Sequence, residues 1–182
     1  TRQELDDVAI DWAAAEGWNP GLYDAECFYA ADPNGFLMGL IGTEPVAAIS
    51  VVRYGDSFGF LGFYMVKPQF RGQGFGIQIW NAGLEYLKGR TIGLDGVVAQ
   101  QENYKKSGFT LAYQNVRYQG VGGGASPVNA DIVPLAEIPF DELCAYDHPF
   151  FPDKRDQFLR CWICQPGGLA LGIRDNGRLA GY

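Results

Sequence analysis

The chain has 182 residues, 47% of them apolar and 19% charged, which suffices for one full domain plus part of another and excludes a disordered chain or a large multidomain assembly. Fourteen basic against 21 acidic residues leave a net charge of -7, the wrong sign for a phosphate backbone, so no nucleic acid partner is expected. No apolar run approaches the ~20 residues of a membrane span, no segment reads as a signal peptide, and four cysteines are too few for a disulfide framework, so a cytoplasmic protein with reduced thiols and no membrane partner is expected.

Residues 4–16 place Leu5, Val8, Ile10 and Trp12 at helical spacing with acids near the start, and Gly17 ends that helix. A turn over 17–21 leads into a second short helix over 22–30. The period then changes from helical to extended, and strands over 36–41, 46–54 and 58–66 joined by tight turns form an antiparallel meander. Pro68 stops the third. After a glycine-rich loop, 77–87 is an amphipathic helix and 91–98 a buried strand, a crossover unit that makes strands 58–66 and 91–98 parallel. A short helix over 103–107 ends at Gly108, and 109–118 reads as a further strand. The fold class is therefore α/β (α+β), a mixed central sheet flanked by helices.

Residues 120–130 open with Gly-Val-Gly-Gly-Gly-Ala-Ser-Pro and read as a linker, dividing a domain over 1–119 from a partial unit over 131–182. The later stretch looks like a second copy of the beginning: Gly35 to Ile41, a turn, then Val46 and Ala47 parallel Gly168 to Ile173, a turn, then Leu179 and Ala180. Starting at Thr1 within a helix and stopping at Tyr182 within a strand, the chain is expected to be trimmed at both ends.

Arg71, Gly72, Gln73, Gly74, Phe75 and Gly76 join a strand to a helix, where glycines turn successive N–H groups toward the positive end of the helix and suit a pyrophosphate. The spacing is not a dinucleotide fingerprint, since Ile77 stands where the last glycine would be, and no Lys-Ser or Lys-Thr pair follows as a P-loop requires. With Tyr64, Met65, Val66, Lys67 and Pro68 ahead of this loop, and Tyr104 four residues before Gly108-Phe109, the chain resembles the GNAT superfamily of N-acetyltransferases over about residues 1–119. Val97 departs from that family's usual Asn, with Asn103 or Gln101 as the substitute.

The resemblance implies acetyl-CoA as co-substrate and no metal. Its pyrophosphate would lie on the amides of Gly72 to Gly76 and its pantetheine arm beside Met65 and Val66. The N–H of Met65 or Val66 would stabilise the oxyanion, and Tyr104 would protonate the leaving thiolate. Trp18, Asn19, Tyr54 and Tyr64 would line the acceptor site for a small amine; their alternative is ordinary aromatic packing. The general base is unassigned among Glu26, Asp56, Asp95 and a water chain. Rival functions are a non-catalytic acyl-CoA sensor and an enzyme that acetylates protein lysines or N-termini. Residues 131–182 would shape the acceptor pocket or mediate homodimerisation. Cys144, His148, Cys161 and Cys164 have zinc-ligand spacing, but Phe158, Cys161, Trp162 and Ile163 favour an apolar helix face.

Overall fold

The predicted meander is present. In the computed structural model, which describes residues 10–19, 21–116, 118–121 and 131–182, β1 (Phe36–Ile41), β2 (Glu44–Tyr54) and β3 (Phe58–Val66) are antiparallel neighbours. β4 (Thr91–Leu94) lies parallel to β3, pairing Phe58 with Thr91 and Leu61 with Leu94. β2 is buried without a break from Val46 to Val52, as a strand covered on both faces must be. On one face, α3 (Phe75–Tyr86) lies so close that a Cβ on Gly83 would stand 2.9 Å from Val51 Cγ1 and 3.2 Å from Ile49 Cδ1. On the other, α2 (Asp24–Ala31) brings Cys27 against Val52 and Tyr54. α1 (Asp11–Ala15) ends in a Schellman turn, with Gly17 at φ +77° and Trp18 N–H bonded to Ala13 O at 3.0 Å.

The chain divides into two compact units, one of Thr1–Leu94 with Asp131–Tyr182 and one of Asp95–Ala130. This grouping cuts the chain differently from the boundary read at 120–130, because the C-terminal stretch is built into the first core. α6 (Asp156–Trp162) places Phe158 in one cluster with Cys27, Val52, Tyr54 and Phe58, its ring 5.2 Å from Phe28. Asp153 accepts the Ser57 N–H at 2.7 Å and its hydroxyl at 2.8 Å, fixing the β2–β3 turn. A second cluster of Leu135, Ile138, Leu143 and Leu179 lies under α5 (Phe140–Asp147) and the sheet of β5 (Ile132–Pro134), β6 (Leu171–Asp175) and β7 (Arg178–Gly181). There Asp147, 1% exposed, takes a two-pronged bond from Arg155 at 2.6 and 2.8 Å and a hydroxyl from Tyr182. Burial works to raise that carboxyl, yet those donors outweigh it and hold the group below the usual carboxylate range.

The second unit carries α4 (Gln101–Lys106) after a short 3-10 turn at Val98–Gln100. Two expectations fail here. The strand predicted over 91–98 ends at Leu94, and none forms over the described part of 109–118, where Leu111, Tyr113 and Val116 are exposed. An alternating pattern is only half of a strand; no described strand runs alongside to take up its backbone groups. The helix predicted over 4–16 is present from Asp11, its residues 4–9 lying outside the described set. Among the described residues, no helix is long and apolar enough to cross a membrane.

Candidate functional site

The parallel ladder between β3 and β4 stops at Leu61 and Leu94, but β3 continues to Val66. Opposite Ala48 and Ser50 the β2–β3 register slips, and Phe63 takes φ 46°, a left-handed conformation rare for an aromatic residue. Beyond this bulge β3 is paired with β2 alone among the described strands, so one edge of its last residues is open. Lys67 N–H donates to Val46 O on β2 at 3.0 Å. The carbonyl of that same peptide, Val66 O, must point the other way, to the open edge. Alternation along the strand then directs the Val66 N–H to the open edge as well and turns the backbone of Met65 toward β2. Of the two predicted oxyanion donors, Val66 is the one the backbone aims outward.

Just past this edge the chain turns tightly through a 3-10 segment, Pro68–Phe70, into the loop. Gly72 and Gly74 have φ +74° and +86°, and a methyl group added to either would meet nothing closer than 4.0 Å, so conformation rather than space demands glycine there. Gly76 differs: a Cβ would stand 2.6 Å from the Tyr64 hydroxyl oxygen and 3.3 Å from Val66 Cγ2. No side chain caps α3 at Gly74. A helix start leaves four N–H groups without intrahelical acceptors, and here they sit at the positive end of a 12-residue helix. Arg71, Gly72, Gln73 and Gly74 are exposed, and Phe75 and Gly76 half-buried. Unpaired N–H groups at a helix start of this kind are complementary to negative charge.

Arg71 donates from Nε to Val66 O at 2.8 Å, across the open edge, and pairs through its terminal nitrogen with Glu16. Sequence reasoning misses Glu16. One sign of it is readable, since a carboxylate just past the last turn of a helix opposes the dipole and calls for another partner. The Trp18 ring meets Phe63 edge-on at 6.5 Å, beside the bulge, whereas Asn19 is exposed in the same turn. Tyr64 packs edge-on against Trp80 at 5.1 Å with its hydroxyl over Gly76. The first unit thus gathers Val66, Arg71 to Gly76, Tyr64 and Trp18 around the end of β3.

Tyr54 is a correction. It is 5% exposed, edge-on to Phe151 and Phe158, and faces Phe58 at the start of β3. Eight residues at roughly 3.3 Å each separate that end from Val66, so Tyr54 belongs to the core and not to a pocket at the loop. Burial pushes its hydroxyl well above the usual tyrosine range. Asp56 lies at the same distant turn and drops out as a base for chemistry at Val66. Glu26 is half-buried on α2.

Within the second unit, the Tyr-x-x-x-Gly-Phe motif is a helix terminus. Phe109 N–H bonds to Tyr104 O at 3.1 Å and Gly108 N–H to Lys105 O at 2.9 Å, with Gly108 at φ +90°. Tyr104 is half-buried; burial raises its hydroxyl above the ordinary range, against a smaller lowering by the backbone of Val97. Asn103 donates to the Gln100 side chain at 2.7 Å, and Asp95 accepts from Asn115 at 3.3 Å. The cysteines are all free thiols, with no metal-holding group of histidine, cysteine and carboxylate among the described residues. Cys161 packs toward Cys27, and His148 contacts Asp156 at 3.2 Å.

Residues 5–109 match the family model described as Acetyltransferase (GNAT) family. A holothin acyltransferase of Pseudoalteromonas sp. (strain SANK 73390) is 35% identical over 174 residues, 96% of this chain and 59% of that protein. A crystal structure of a candidate acetyltransferase from Pyrococcus horikoshii superimposes with a TM-score of 0.79 at 22% identity, covering 96% of this chain and 63% of the other. A predicted acetyltransferase of Clostridium acetobutylicum, solved with acetyl-CoA, gives 0.51 at 13% identity over 65% of this chain and 92% of its own. The chain thus spans about three fifths of the length of the first two.

Proposed function

The chain belongs to the acetyltransferase (GNAT) family, and from that premise we propose that it is an N-acetyltransferase moving the acetyl group of acetyl-CoA to a primary amine of a small molecule, by direct attack in a ternary complex. The observation that carries this reading is the open edge of β3 running into an uncapped helix start built on two left-handed glycines. An edge that offers backbone hydrogen bonds suits an amide-bearing arm, and the adjoining N–H groups of 72–76 suit the pyrophosphate at its end. Few ligands other than an acyl-coenzyme A present both chemistries in sequence. The relative named as an acyltransferase supports the reaction class.

In this reading Arg71, Gly72, Gln73, Gly74, Phe75 and Gly76 bind the phosphates, with Asn103 a further contact, and the outward-facing backbone of Val66 lines the arm, while Met65, turned toward β2, supports that edge from behind. The Val66 N–H stabilises the oxygen that gains charge as the amine attacks the thioester carbonyl. The Tyr104 hydroxyl gives its proton to the departing sulfur, and the proton that the attacking nitrogen sheds passes to water and restores the phenol; a phenol shifted upward stays protonated throughout the physiological range and so remains able to donate. Trp18, Asn19 and Tyr64 line the acceptor side. The protein would work in the cytoplasm without a metal, and residues 131–182 form a partial second copy that closes the core of the first unit.

A non-catalytic acyl-CoA sensor is the second reading, favoured by the absence of any carboxylate along Phe58–Val66. Titration of acetyl-CoA into the protein, followed by thiol release over a panel of primary amines with mass analysis of the products, separates the two. Binding with release and an acetylated amine is the expected result. Binding with no release for any amine would favour the sensor, and no binding would overturn both.

A further inference from the structure

Arg71 is held at two points that have nothing to do with a phosphate. Its Nε donates to Val66 O at 2.8 Å on the open edge, and its terminal nitrogen pairs with the Glu16 carboxylate. Both partners sit where the coenzyme reading needs room: Val66 O is a backbone acceptor on the edge assigned to the arm, and Glu16 is a negative charge beside a loop assigned to an anion. Glu16 is also not a stray surface acid. It stands between α1 and the Schellman turn at Gly17 that sets the Trp18 ring against Phe63, so the ion pair ties the Trp18 turn to the phosphate loop. The neighbouring Lys67 is taken up by Glu44 at 3.4 Å and by the Trp12 ring at 5.3 Å, and does not neutralise Glu16 in its place.

Resting on the acyl-coenzyme A reading, we propose that Glu16 is a positioning residue that competes with the coenzyme's phosphates for Arg71, so that coenzyme binding releases the Trp18 turn from the loop. The guanidinium has five donors and one charge. A carboxylate already bound to it lowers the field available to a second anion, and its own charge repels that anion. When the phosphates take the guanidinium, Nε leaves Val66 O free for the arm, and the turn carrying Trp18 loses its tether at the moment the acceptor side must admit a substrate. Affinity is given up at the loop in exchange for coupling between the two halves of the site.

The pair is half-exposed, with side-chain exposures of 50% and 34%, so the effect is modest and salt-sensitive. Acetyl-CoA itself is the probe, titrated calorimetrically into wild type, Glu16→Gln, Glu16→Ala and Glu16→Asp at low and at high salt, with melting temperatures measured alongside. Removing the charge is expected to tighten binding about three- to tenfold at low salt, with the gain shrinking to less than about twofold at high salt, as screening requires. Glu16→Asp restores wild-type affinity or nearly so. Equal or weaker binding by both uncharged variants at low salt overturns the inference and leaves the coenzyme reading standing. Failure of the wild type to bind overturns both.

Discussion

Phe158→Ala is the sharpest test of how the chain is folded, because it asks whether residues beyond the glycine-rich stretch complete the first core. Phe158 is 8% exposed, lies 5.2 Å from Phe28, 5.4 Å from Trp162 and 6.4 Å from Tyr54, and shares a cluster with Cys27, Val52 and Phe58. Truncating a buried phenylalanine to alanine costs about 3–5 kcal/mol, from lost burial plus a cavity that relaxes only in part. The neighbours here are themselves rings fixed edge-on and stacked, so little collapse into the gap is expected and the upper half of that range applies. For a chain of this size each kcal/mol shifts the melting temperature by about 2–4 °C, giving a fall of about 8–20 °C. Calorimetric melting of the wild type and the variant measures it. A fall below about 2 °C, or a wild-type scan resolving a separate transition for the C-terminal stretch that alone moves, would refute the shared core.

Other outcomes follow from the same structure. Gly74→Ala places a side chain at φ +86° in open space and costs about 1–2 kcal/mol of stability. Gly74→Asp adds a charge to the same strain, so its further loss of acetyl-CoA affinity beyond the alanine variant, about tenfold or more by calorimetry, isolates electrostatics at the loop. Bonds from the Ser57 N–H and hydroxyl hold the Asp153 carboxyl down to about 2 from a usual 3.8. A depressed carboxyl stabilises the fold above its unfolded value, so this contribution is complete above about pH 4 and is lost as pH falls toward 2. Asp153→Asn should flatten acid unfolding in that window by circular dichroism. Burial raises the Cys27 thiol to about 12 and the Cys144 thiol to about 11, while Cys164 is exposed. A thiol reagent at pH 8 should therefore label Cys164 rapidly, and Cys27 and Cys144 only on unfolding.

How much could be read in advance depended on whether a signal was local. β1 and β3 fell on their predicted residues because turn chemistry at Gly42 and Gly55 brackets largely apolar runs, and the tight glycine turn before the helix was legible because Gly72 and Gly74 need left-handed φ whatever surrounds them. Strand 109–118 failed for the opposite reason: alternation is local, but a strand exists only with a neighbour. Tyr54 was misplaced because an aromatic beside a turn reads the same whether it lines a pocket or meets Phe151 and Phe158 from a distant part of the chain. Glu16 escaped notice because its partner lies 55 residues away. The bulge at Phe63 follows Gly62, and a glycine inside a strand often marks such an irregularity, but nothing in the run says which edge it leaves open.

In the proposed function the Val66 edge and the loop 71–76 together hold the coenzyme. Amide-resolved magnetic resonance of the isotopically labelled protein, titrated with acetyl-CoA, tests it residue by residue. The largest shifts are expected at the amides of Val66, Gln73, Gly74, Phe75 and Gly76, with those of Met65 and of the distant turn at Gly55 to Ser57 changing little. Shifts centred elsewhere on the protein, or a loop that stays silent while acetyl-CoA binds, would contradict it.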